Sequence, residues 1–223
     1  MFDDIRKLFS NALEYESKGK FKESIDLYNT IINKLSSIIK SESNIQYDIL
    51  KIAAETHLRL FTLGHTKDAD LATEGISLYK TYLQKVSNDN EARLDLVCLL
   101  ELTYDYKESR KQIEEVLKSN PNNIQALEHL SDLVYYYNNL GTVEECITYK
   151  QKLIELQPNR LKHYYELAIL WCQIDDYQKA RESYFKILNL VKEDSKRKSE
   201  FETEYGSNFN ELVIKALERI SDK

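Results

Sequence analysis

Glycine and proline are scarce, with five and two in 223 residues. An all-β or open α/β chain of this length needs more turn residues, so both architectures are disfavoured. No long apolar run occurs, so no membrane-spanning helix is expected. Three cysteines, Cys98, Cys146 and Cys172, are odd in number and far apart. They exclude a dense disulfide framework and fit buried thiols in a reduced, cytoplasmic setting. An excess of basic charge is also missing. The net charge of −6 argues against general nucleic-acid binding and against adsorption to anionic membranes. There is no Asn-x-Ser/Thr sequon. The opening MFDDIRKLF has no basic start followed by an apolar run, so no signal peptide is expected. The closing ERISDK carries no lipidation box.

The chemistry-bearing motifs are missing too. The glycines are isolated, with no Gly-x-Gly-x-x-Gly and no Walker loop. His57, His65, His129 and His163 share no metal-ligand spacing, and there is no Cys-x-x-Cys. HTKDAD, His65 to Asp70, offers a His and two carboxylates. It lacks the central Gly and closing Glu of a calcium loop and reads as a solvated loop. The pair Asp175-Asp176 falls where a turn between helices is expected, and acidic residues are ordinary there. No catalytic set, cofactor site or metal site can be read, and a non-enzymatic protein is expected.

What the chain does have is an apolar share of 42% and a pattern. Compare DYKESRKQIEEVL, Asp105 to Leu117, with DYQKARESYFKIL, Asp176 to Leu188. Asp-Tyr matches Asp-Tyr, Ser109 matches Ala180, Arg110 matches Arg181, and Val116-Leu117 matches Ile187-Leu188. VEECITYKQKLIEL lies between them, with Val143, Cys146 and Leu153 in the same roles. Earlier copies are KFKESIDLYNTII, with Phe21, Ser24, Tyr28 and Ile31, and LATEGISLYKTYL, with Ala72, Gly75, Tyr79 and Tyr82. Each copy holds a large residue, a small one three later, and apolar residues at helical spacing. A small residue lets two helices approach, and the apolar stripe buries against a neighbour. Another apolar-periodic segment precedes each copy, as in LKHYYELAILWCQ. The prolines of NPNN and QPNR separate the pairs.

A period near 34 residues built of two helices resembles the tetratricopeptide repeat (TPR). Asn90 to Asn123 fills one such unit and ends in Pro-Asn-Asn. Leu161 to Leu190 fits as well, with Ala168, Tyr177, Ala180 and Tyr184 at signature places. The resemblance implies an all-α, right-handed solenoid of about five helix pairs over 1–191. A charged linker is expected over 192–207, including KEDSKRK. A capping helix is expected over 208–223, with Phe209, Leu212, Val213, Ala216, Leu217 and Ile220 on one stripe and an Asn208/Glu211 capping box. There are departures. Ala12 stands where the family often has Gly. The second unit is irregular, read as a helix lengthened to about Lys40, a turn at SESN and a loop TLGHTKDAD. The fourth unit carries three extra residues after Tyr135-Tyr136-Tyr137, expected to extend that helix past its usual end by nearly a turn.

The resemblance also implies a groove lined by the first helix of each pair. The same frame places Arg6, Phe9, Leu13 and Glu16 there from the first unit. The third unit adds Glu91, Leu94, Cys98, Glu101 and Leu102. The fourth adds Gln125, Glu128, Asp132, Tyr135 and Tyr136, and the fifth adds Lys162, Tyr165, Ile169, Cys172 and Gln173. Tyr137 is expected to pack against a neighbour. Residues 61–160 hold sixteen acidic against eleven basic side chains, so the middle of this groove is expected to be acidic. Its complement is a protein segment, a helix or extended peptide, with apolar anchors and a central Lys or Arg. The family subtype that clamps a chaperone's C-terminal carboxylate needs Lys and Asn in the first helix. Phe9 and Leu13 stand there instead, so no such clamp is expected. The function expected is an adaptor or co-chaperone-like interaction module in the cytoplasm. The alternative is a permanent scaffold subunit that uses its edges and convex face.

Overall fold

The computed structural model describes residues 2–41, 45–64 and 69–221. The turn expected at SESN and most of the loop HTKDAD lie outside these residues. Among the described residues there is no strand, and twelve α-helices follow one another. They are α1 (Phe2–Ser17), α2 (Phe21–Ser41), α3 (Tyr47–Thr62), α4 (Ala69–Lys85), α5 (Asn90–Leu102) and α6 (Tyr106–Ser119). Then come α7 (Ile124–Tyr136), α8 (Val143–Leu156), α9 (Leu161–Gln173), α10 (Tyr177–Glu193), α11 (Lys196–Tyr205) and α12 (Lys215–Ser221). The chain divides into two compact units, one up to Val116 and one from Leu117. In each, consecutive helices pack as hairpins: α1 on α2 and α3 on α4 in the first, α7 on α8 and α9 on α10 in the second.

Short polar residues start the helices. Asp89, Asn123, Thr142 and Asp176 accept hydrogen bonds from the backbone N–H groups of Ala92, Ala126, Glu145 and Lys179. Each satisfies a donor that the first turn leaves without an intrahelical partner. The hairpin turns reverse through one left-handed residue: Gly19 (φ 69°), Gly64 (φ 69°), Tyr104 (φ 64°) and Asp175 (φ 58°). Around three of them the same closing bond forms, from Lys20 N to Tyr15 O, Asp105 N to Leu100 O and Asp176 N to Trp171 O, at 2.8–2.9 Å. It satisfies a carbonyl at the end of the first helix.

The small residues sit where helices cross. Ser24, Gly75, Ser109, Cys146 and Ala180 are all buried. Ser24 Oγ donates to Ala12 O at 2.9 Å, and Cys146 Sγ to Ser131 O at 3.3 Å. A Cβ on Gly75 would lie 2.8 Å from Leu99 Cδ1 and 3.0 Å from His57 Cβ, so the hydrogen side chain lets α4 reach its neighbours. Around these crossings the first unit buries Ile5, Tyr28, Ile31, Ile49, Tyr79 and Leu96 almost completely.

Three features differ from the sequence expectation. First, α7 is not lengthened. It has 13 residues, as α5 and α9 do. Tyr137 leaves the helix at φ −128°, ψ 89°, and the extra residues form a 3₁₀ turn, Asn138–Leu140. Leu140 turns inward and is 8% exposed, so its burial drives the reversal. Second, the expected linker over 192–207 contains a helix. α10 runs to Glu193 and α11 covers Lys196–Tyr205, ended by Gly206 in the left-handed region. α11 has a single fully buried anchor, Phe201, too little for a readable stripe. Third, the expected cap begins as a π turn, Asn210–Ile214, that runs into α12. Its anchors Phe209, Val213 and Ile220 are buried as expected. The capping box is not made. Asn208 Oδ1 accepts from Asn210 N at 2.9 Å, and Glu211 pairs with Lys215 at 2.9 Å. α11 packs on α9 and α10, and α12 on α10.

Candidate functional site

In the first unit the odd-numbered helices are tied to one another by charge. Arg6 on α1 bonds Asp48 at 2.6 Å and Gln46 at 2.6 Å. Glu16 accepts from Tyr28 Oη at 2.8 Å and from Arg59 of α3 at 3.0 Å. Lys51 of α3 reaches Asp89 at 3.0 Å and Glu91 of α5 at 2.9 Å. Three of the expected groove residues, Arg6, Glu16 and Glu91, therefore hold the helices together. Phe9 and Leu94, expected in the groove, are in the core at 8% and 7% exposure. Their stripes serve the neighbouring helix, and Phe9 meets the Tyr28 ring at 6.0 Å. Glu101 is half-buried and accepts from Ser109 Oγ at 3.2 Å. Leu13 and Cys98 are half-buried, and Leu102 is exposed.

Asp95, which the sequence reading did not single out, accepts from Tyr79 Oη at 3.0 Å. Burial pushes its carboxyl up to about 6; the Tyr79 bond opposes this, and Glu55 and Glu91 add to it. A carboxyl raised on folding binds its proton more tightly in the folded state. The first unit should therefore gain stability from Asp95 as pH falls from about 7 toward the unfolded value near 4. Asp95→Asn is expected to stabilise that unit by about 1–3 kcal/mol at pH 7 and by much less at pH 4, read from denaturant melts at both.

The second unit is built around Lys150 of α8. Its ammonium is 1% exposed and lies 3.1 Å from Asp132 of α7 and 2.6 Å from Glu166 of α9. Glu166 also accepts from Tyr205 of α11 at 3.3 Å. Burial opposes the Lys150 charge, but Glu166 and Asp132 outweigh it and raise its pKa. Burial raises Glu166 as well, with Lys150 opposing. Two carboxylates around one ammonium leave a net negative cluster, so both groups hold protons tightly. Next to it His163 is fully buried and donates from Nε2 to Gln157 at 2.8 Å, which leaves Nδ1 without a partner. Burial and Lys150 pull its pKa down to about 4, so the ring is neutral.

Asp132 is thus paired with the ammonium it shares with Glu166, and the other expected acidic residue of α7, Glu128, lies 4.0 Å from the neutral His163. Lys150 was legible in principle: it falls on the buried stripe of α8, between Ile147 and Leu153. The α9 candidates are largely covered by α11. Tyr165 packs edge-on against Phe201 at 5.4 Å and Tyr205 at 4.9 Å. Lys162 lies 3.9 Å from Glu166 and 4.0 Å from Glu204. Ile169 and Cys172 are half-buried, and Gln173 is exposed.

On α7 one face remains open, most fully at its C-terminal end. Gln125, Glu128 and Tyr136 follow one face of this helix. Gln125 is exposed, and Tyr136 is 70% exposed with its ring edge-on to half-buried Tyr135 at 5.0 Å. Beneath Tyr135 lies a cavity of about 150 Å³, lined by Val134, Gly141, Val143, Cys146, Leu170 and Gln173. Thr142 also lines it and, with Gly141, follows the 3₁₀ turn. Burial pushes the Cys146 thiol up to about 12, so this sulfur is a small apolar wall and not a nucleophile. Among the described residues no group of three His, Cys, Asp or Glu side chains is placed to hold a metal ion. No described helix is long and apolar enough to cross a membrane.

No protein-family model matches the chain, and no curated protein matches it by sequence. Solved structures do match. MamA from Desulfovibrio magneticus RS-1 shares 20% identity over 86% of this chain and 97% of its own, with a TM-score of 0.62. A double mutant of MamA RS-1 reaches 22% identity and a TM-score of 0.63 over 86% of this chain and 98% of that one. YrrB, a TPR protein with an unusual peptide-binding site, matches at 13% identity over 85% and 88%, with a TM-score of 0.56. The fold is that of the tetratricopeptide repeat. Within the TPR fold, α1, α3, α5, α7 and α9 are the first helices of their pairs. At these identities the likeness carries architecture, and the TPR scaffold is common ground for side chains that differ.

Proposed function

We propose that the chain is a non-enzymatic protein-interaction module that takes a peptide or helix on the α7 face of its second unit. One observation carries this reading. Tyr136 stands exposed beside a cavity that Tyr135 partly covers, on the same helix face as Gln125 and Glu128. Aromatic rings next to a pocket are common anchors of protein interfaces, because a large rigid ring buries area at little entropic cost. The cavity of about 150 Å³ matches the size of one that holds a benzene ring, so it accommodates one apolar side chain. Glu128, about two helical turns from Tyr135 and Tyr136, then favours a Lys or Arg at a matching distance of roughly 10–12 Å along the ligand. The TPR likeness supports the reading, since YrrB has a peptide-binding site on the same fold. Panning a displayed random-peptide library against the purified chain tests it. Selected peptides are expected to share an apolar residue with a Lys or Arg at that spacing. Enrichment of acidic peptides, or of none, would overturn the reading.

A further inference from the structure

The second irregularity of the sequence lies in the first unit. α2 has 21 residues, where α6 and α8 have 14. Its additional turns wall a pocket of about 220 Å³ against α3 and α4. Ile32, Leu35 and Ile39 form one side and Ala53 and Leu78 the other. The polar groups are Ser36, Ser77 and the pair His57–Glu74. His57 is 4% exposed. Its Nδ1 lies 2.7 Å from Ala53 O and its Nε2 lies 3.2 Å from Glu74 Oε2.

Both ring nitrogens of His57 face oxygens that only accept. Nδ1 must therefore keep its proton for Ala53. In the neutral ring Nε2 then presents a lone pair. In the charged ring Nε2 donates to Glu74, whose second oxygen still accepts. With the ring neutral, the His57–Glu74 pair offers acceptors and no cation; with it charged, Glu74 still offers an oxygen, and the Ser36 hydroxyl donates to Asn33 O at 3.2 Å. Its walls are aliphatic, and its volume exceeds that of a cavity of roughly 150 Å³ known to hold benzene. We propose that this pocket is a small-molecule site for a single aromatic ring bearing a hydrogen-bond donor, a phenol or its analogue. The ring lies between Ile39 and Leu78, and its hydroxyl donates to the His57–Glu74 pair. This site is independent of the α7 face, so either can fail alone.

The test is a methyl and imidazole NMR titration of the full chain with 4-methylphenol and with toluene. 4-Methylphenol is expected to shift the Ile39 and Leu35 methyls and the His57 ring signals along a saturable curve. Toluene, lacking only the hydroxyl, should bind at least tenfold more weakly. Glu74→Gln should weaken 4-methylphenol and leave toluene unchanged. Ser77→Phe places a ring in the same space from an exposed position and should abolish both; Ser36→Phe does so from the opposite wall if the first variant melts early. Equal binding of the two probes, shifts that persist in the filled variants, or no saturable shift at all would overturn the proposal.

Discussion

Replacing Lys150 by alanine is expected to destabilise the second unit by about 3–5 kcal/mol, enough to shift most of it out of the folded state at moderate denaturant. The ammonium lies between Asp132 and Glu166 and is 1% exposed. Removing it leaves Glu166, itself mostly buried, with only the more distant Lys162 at 3.9 Å as a counter-charge. The loss comes from that stranded carboxylate more than from any net value of the pair. The double variant Lys150→Met/Glu166→Leu should therefore recover most of it, because an apolar pair of similar volume has no charge to desolvate. Asp132 is 42% exposed and can be hydrated in both variants. Urea melts of the three chains decide. A single-variant loss below about 1 kcal/mol would mean that water reaches this ammonium.

Phe201→Ala is expected to be of similar size, about 3–5 kcal/mol for a fully buried aromatic ring. Phe201 is 2% exposed, and its ring meets Tyr165 at 5.4 Å, Tyr205 at 4.7 Å and Phe209 at 5.8 Å. It joins α9, α11 and the start of the last helix. Hydrogen exchange of the α11 amides should become fast in the variant, together with the loss of the Tyr205–Glu166 bond. If Lys196–Tyr205 were solvated chain, the substitution would change stability by no more than about 0.5 kcal/mol.

The helix pairs were legible because two signals agreed at every copy: an apolar stripe at helical spacing and a small residue where the partner crosses. Ser24, Gly75, Ser109, Cys146 and Ala180 are each buried where that pattern put them. α11 was not legible, because KRKSEFETEY carries one deeply buried residue and its stability comes from tertiary packing. The three residues after Tyr137 were read as more helix, since periodicity does not say where Leu140 will find a core. Among the groove candidates, spacing placed the residues on helices but did not show which polar side chains would remain open. Arg6, Glu16, Glu91 and Asp132 are engaged by partners 40 or more residues away or on the next helix. Such pairings depend on packing that no local pattern encodes. The lysine that pairs with Asp132, Lys150, sits at a buried stripe position, and its spacing could have given warning.

The account rests on the open end of α7 as the place where a partner docks. The most direct measurement is the affinity of one library-selected peptide for the wild-type chain and for Tyr136→Ala, by titration calorimetry at fixed salt. Tyr136 is 70% exposed, so its removal should leave the melting curve within about 0.5 kcal/mol of wild type. The account predicts that binding weakens at least tenfold, with Glu128→Lys weakening it further for peptides that carry a basic residue. Unchanged affinity in a Tyr136→Ala chain of wild-type stability would contradict it, and the docking surface would then have to lie elsewhere on the chain.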